Sequence, residues 1–85
     1  MILKPAPDVV SRSLGSFGVL VNLKTNHIFQ LNETGARIWQ LIVEGTSVRD
    51  IILTLSREFD VDISTATDQT MALVEELFEQ GLVER

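Results

Sequence analysis

The sequence predicts an α+β domain, a three-stranded antiparallel sheet followed by three helices. Two observations predict it. Apolar and polar residues alternate in short runs up to Leu31, and beyond Asn32 the apolar residues recur at helical spacing instead. A third places the boundary: Asn32 is a good helix N-cap, because its side-chain oxygen can accept an orphan amide proton of the first turn.

The first strand is read at Val9 to Leu14, after the lead-in Pro5-Ala6-Pro7. Gly15, Ser16 and Gly18 mark a turn. The second strand is read at Gly18 to Leu23, with Val19, Val21 and Leu23 on one face and Leu20 and Asn22 on the other. Lys24-Thr25-Asn26 is a polar connection of hairpin length, which returns the chain as a third strand from His27 to Leu31. Three such strands are the simplest sheet able to stand with helices packed on one face.

The first helix carries Ile38, Trp39, Leu41 and Ile42 at helical spacing and stops at Gly45. The second, Val48 to Phe59, has one clean apolar stripe: Val48, Ile51, Ile52, Leu55 and Phe59. Ser47 with Asp50 three residues on resembles a capping box. Asp60-Val61-Asp62 breaks the stripe, and Ser64 is expected to cap a third helix from about Thr65 to Gln80. Gly81 ends that helix, after which Leu82 and Val83 pack back.

The third helix has two adjacent apolar rows. Ala66, Thr70, Leu73 and Leu77 form one; Thr67, Met71, Val74 and Phe78 form the other. On pattern alone both rows can be core, the commoner use of a wide apolar face. The other reading leaves the second row partly exposed beside a sheet edge, as a groove wall. Trp39, Ile51, Ile52, Leu55, Phe59, Leu73 and Leu77 are expected to face inward.

Composition limits the function. Residues 1–85 are expected to form one domain, with 1–8 as an extended N-terminal segment, and 45% hydrophobic residues with one Trp and four Phe suffice for a core. There is no Cys, hence no disulfide or thiolate ligand. No run approaches the ~20 apolar residues of a membrane span, so a cytoplasmic soluble domain is expected. The net charge is -5 and the seven basic residues are scattered, whereas phosphate binding draws on clustered Lys and Arg. The third helix holds Asp68, Glu75, Glu76 and Glu79 with no Lys or Arg from Ser64 to Val83, which argues against a DNA recognition helix.

Catalytic chemistry is also missing. The one His, His27, has no sequence-local carboxylate or second His, and the chain has no Tyr and no Gly-rich phosphate loop. Asp60 and Asp62 lack the further oxygen ligands of a calcium loop, and Glu75 and Glu76 point in different directions on a helix. No metal, no cofactor and no enzymatic activity are expected. The chain reads as a binder.

The junction Phe29-x-Leu31-Asn32-x-Thr34-Gly35-x-x-Ile38-Trp39, with Gly45 and the terminal Gly81-Leu82-Val83, resembles the PqqD-like family of peptide-binding modules, over about Val9 to Val83. The resemblance implies a winged helix-turn-helix-like fold and a recognition element for ribosomally synthesised, post-translationally modified peptides. Such an element binds the leader segment of a precursor peptide and presents the attached core to a maturation enzyme. The short chain resembles the stand-alone partners of lasso-peptide leader proteases more than the chaperone of coenzyme PQQ biosynthesis, which serves a radical SAM enzyme. In the family the leader adds to the third strand, in a groove against the third helix. Carried onto this sequence, the edge is His27, Ile28, Phe29 and Gln30, and the groove wall comes from Thr67, Asp68, Met71, Val74, Glu75 and Phe78. The implied partners are a leader peptide and a maturation enzyme, with no nucleic acid and no membrane, in a monomer or weak dimer. A winged-helix DNA-binding regulator is the more distant alternative.

Overall fold

Each strand exists because its alternate residues have a buried face to fill. The computed structural model describes residues 1–85. Strand β1 spans Lys4–Pro5, β2 Val9–Leu14, β3 Phe17–Asn22 and β4 His27–Leu31; helices α1 (Glu33–Val43), α2 (Val48–Glu58) and α3 (Ile63–Glu79) follow, and β5 (Val83–Glu84) closes the chain. The antiparallel sheet runs β2-β3-β4, so β2 and β4 are its edges. Gly18, Leu20 and Asn22 of β3 are buried beneath the helices, whereas β2 is exposed at five of its six positions. The buried Asn22 amide is used: its Oδ1 accepts from Lys24 N at 2.9 Å.

Local chemistry sets the turns. Gly15 (φ +70°) begins the two-residue loop between β2 and β3, where a left-handed residue matches the twist of the strands. Asn26 (φ 63°) takes the same region before β4, which Asn tolerates better than most residues. Asn32 caps α1 as expected, its Oδ1 accepting from Gly35 N at 2.8 Å. Ser47 caps α2 through Asp50 N. The cap of α3 is Asp62, not Ser64: Asp62 Oδ1 accepts from Thr65 N at 2.8 Å, and the helix starts two residues earlier than the pattern suggested. Hydrogen bonding from the Thr65 side chain, and then from its backbone N–H, holds the Asp62 carboxyl below the usual carboxylate range.

The extended N-terminal segment is docked. Lys4 pairs with Glu84 and Pro5 with Val83, Ala6 N donates to Leu82 O, and Leu3 is 1% exposed in the core. Ile2 bridges to Ser47, and Val48 N donates to Met1 O, so the segment ties α2 to the chain end. Fifteen buried apolar residues form one core, with Ile38, Ile42, Ile51, Leu55 and Leu77 at most 1% exposed. Trp39, Ile51, Leu55 and Leu77 are buried as the pattern predicts, and Ile52 and Phe59 pack against the core half-buried. Two buried polar atoms, Trp39 Nε1 and Thr70 Oγ1, have no hydrogen-bond partner.

Candidate functional site: an open sheet edge beside a helix

The backbone of β4 has a determined free side. Leu23 N donates to Asp8 O at 2.8 Å, so odd-numbered residues of β3 turn their polar groups toward β2. Even-numbered residues therefore bond β4, in the pairs Gly18–Leu31, Leu20–Phe29 and Asn22–His27. The alternation leaves the N–H and C=O of Ile28 and Gln30 facing outward, unpaired, at the sheet edge. An extended segment has two residues' worth of ladder to complete there.

Side chains obey the complementary rule. Phe29 and Leu31 turn toward the helices, Leu31 buried and Phe29 half-buried. Ile28 is 68% exposed on the opposite face, in register with Val21 and Val10 across the sheet. His27 is exposed at the strand's start.

Beside this edge lies an open cleft of about 730 Å³. Gly18, Val19, Phe29, Gln30 and Leu31 line it from the sheet, Asn32, Thr34, Gly35 and Ile38 from the start of α1, and Leu14 and Phe17 from the hairpin tip. Its wall on α3 is Gln69, Ala72, Leu73 and Glu76. Glu76 is the single ionisable side chain in the lining.

This wall differs from the sequence expectation. None of Thr67, Asp68, Met71, Val74, Glu75 and Phe78 lines the cleft. At about 100° per residue, Leu73 lies roughly 120–160° around the helix from Thr67, Met71 and Phe78. Val74 is 2% exposed, a core residue, while Leu73, expected inward, is half-buried at the cleft. Met71 and Phe78 pack half-buried against the core, with the Arg85 guanidinium 5.7 Å from the centre of the Phe78 ring. Asp68 and Glu75 are exposed outside the cleft. Apart from Leu73, the α3 residues that do meet it (Gln69, Ala72 and Glu76) are polar or small, and in sequence they look like any solvated helix face.

A second cleft of about 690 Å³ lies between the β2–β3 hairpin and α1, crossed at its rim by Arg37 and Glu58. Their ion pair raises the Arg37 pKa and holds the Glu58 carboxyl below its ordinary range, chiefly through the side-chain hydrogen bond. No group of three or more His, Asp or Glu is placed to hold a metal ion. No helix is long and apolar enough to cross a membrane.

The family model for coenzyme PQQ synthesis protein D (PqqD) matches residues 18–83. The chain belongs to the PqqD family. The match begins in β3 and ends in β5, so it contains the free edge, the Asn32 junction and the whole of α3. Two solved structures share this PqqD-family fold. TbiB1 in complex with the TbiA(beta) leader peptide matches with a TM-score of 0.90 at 31% identity, over 95% of this chain and 94% of that one. Lasso peptide synthetase B1 complexed with the leader peptide matches with a TM-score of 0.90 at 27% identity, over 100% of both chains. A search of curated proteins finds no match.

Proposed function

We propose that this PqqD-family chain is a non-catalytic binding module, which captures the leader segment of a ribosomally synthesised precursor peptide and hands it to a maturation enzyme. The carrying observation is the unpaired edge at Ile28 and Gln30 beside an apolar cleft, in a chain alike over its length to two proteins solved with leader peptides. The leader adds antiparallel or parallel to β4 as a fourth strand. Its backbone bonds supply affinity with little sequence preference, and side chains entering the cleft supply specificity. Along β4 the contacts are His27, Ile28, Phe29 and Gln30. On α3 they pass from the row expected from sequence to Gln69, Ala72, Leu73 and Glu76.

The partner enzyme in this reading is a leader protease of lasso-peptide maturation. The matching family model favours a second reading, a peptide chaperone that serves a radical SAM enzyme in coenzyme PQQ biosynthesis. The two structural relatives, both lasso or leader complexes spanning nearly the whole chain, weigh toward the first.

The test is a fluorescence-anisotropy titration with a labelled leader from the nearest short open reading frame, run beside a labelled DNA duplex. Saturable leader binding with a flat duplex titration is the expected result. Salt-sensitive duplex binding without leader binding would return the chain to the winged-helix regulators. A precursor with the Glu and Tyr of the PQQ route, titrated in parallel, separates the two peptide readings.

A further inference from the structure

Resting on the strand-addition reading, we infer that Glu76 is a specificity-determining residue, selecting leaders that carry a Lys or Arg two residues from an apolar anchor, on the same face of the added strand.

The argument starts from what is missing around Glu76. The cleft lining contains no other charge, and more than half of it is hydrophobic, 8 of 15 residues. The chain's one ion pair is Arg37–Glu58, so no cation of the protein itself neutralises Glu76. Nor can the helix supply one, because α3 has no Lys or Arg. Glu76 is exposed and hydrated in the free chain. A peptide laid into the cleft removes part of that water. An uncompensated carboxylate then opposes binding, and a carboxylate met by a cation assists it.

Geometry sets the spacing. Leu73 and Glu76 are three residues apart on one flank of α3, a separation of about 5–6 Å between side-chain bases. Successive same-face residues of an extended strand are about 6.6–6.8 Å apart. A strand running along the helix that rests an apolar side chain against Leu73 thus presents its next same-face residue to Glu76. Selection acts in both directions: a basic residue gains a partner, while an acidic one meets a like charge inside a partly desolvated cleft.

The experiment uses a displayed library of random twelve-residue peptides, selected on the immobilised full chain and on Glu76→Lys, Glu76→Gln and Ile28→Pro. Peptides selected by the unmodified chain are expected to carry Lys or Arg two residues from a large apolar residue. Glu76→Lys is expected to select Asp or Glu at that position, and Glu76→Gln to select no charge there. One selected peptide, resynthesised with its basic residue changed to Glu, should bind the unmodified chain about three- to tenfold more weakly and recover on Glu76→Lys. Position 76 is exposed, so circular dichroism should be unchanged in both Glu76 variants. Identical charge patterns from the unmodified chain and Glu76→Lys would overturn the inference. Loss of all selection on Ile28→Pro would still show that peptides use the β4 edge. Selection indifferent to Ile28→Pro would instead overturn the strand-addition reading and the inference with it.

Discussion

Arg37 of α1 and Glu58 at the end of α2 form a two-pronged ion pair, Nε to Oε1 and Nη2 to Oε2, each 2.8 Å long. It is the one side-chain bridge holding these helices in register at the surface, and both partners keep substantial solvent exposure. Glu58→Gln should therefore cost no more than about 1 kcal/mol. The pair lowers the Glu58 pKa in the folded chain, so its contribution is fully present above the ordinary glutamate value and is lost as pH falls through the depressed folded value. Arg37 stays charged throughout. Thermal melts from neutral to acid pH should show unmodified and Glu58→Gln chains converging at the acid end. A constant gap would remove the ion pair as its cause.

The two sides of β4 make opposite predictions for proline. At Ile28 the N–H points outward, so Ile28→Pro should leave the fold standing and abolish leader binding. At Phe29 the N–H belongs to the β3 ladder, so Phe29→Pro should unfold the sheet. Circular dichroism with anisotropy separates the two. Leader binding by a folded Ile28→Pro chain would exclude strand addition at this edge.

The cleft wall can be tested against its neighbours on the same helix. Leu73→Ala and Ala72→Phe, one emptying and one filling the cleft, should weaken leader binding, the bulky variant the more strongly. Met71→Ala should leave affinity intact and lower stability, since Met71 packs on the core away from the cleft. The reverse outcome would restore the row expected from sequence.

Thr70 is fully buried and its hydroxyl has no partner. Thr70→Val keeps the shape and removes the unsatisfied group, so stability should rise, on the order of 1 kcal/mol. A melting temperature raised by roughly 4–8 °C is the corresponding signal for a domain of this size. A lowered one would mean that the hydroxyl is hydrogen-bonded after all.

At the strand–helix junction, Asn32→Ala should cost about 1 kcal/mol by leaving Gly35 N–H without its acceptor. Asn32→Asp keeps the acceptor and adds a charge that suits a helix N-terminus, so its melting temperature should equal or exceed the original.

Much of this was legible because the relevant signals are local. The period-two alternation of His27, Phe29 and Leu31 delimits β4, the Pro5-Ala6-Pro7 entry and the Gly15-Ser16 turn bracket β2, and Asn32 and Ser47 announce two helix starts. The α3 start was misplaced because Asp62 and Ser64 are both competent caps, and only the bond to Thr65 N decides between them. Strands β1 and β5 have two residues each, too short for any period, and their pairing joins the two ends of the chain. The rotation of α3 was hidden for another reason. Its two apolar rows lie side by side, so periodicity shows a wide apolar face without showing its centre. That centre is fixed by packing: Ala66, Thr70, Val74 and Leu77 are buried, and Leu73 is left at the margin.

Because α3 gives one flank to the core and the adjacent one to the cleft, with Leu73 alone touching both, most of the letters that shape the cleft wall are not those that fill the interior. Gln69, Ala72 and Glu76 are exposed, and exchanging them costs the fold little. If this wall reads the leader as proposed, a lineage carrying the helix can drift toward new peptides largely by surface changes, with no need to rebuild its interior first.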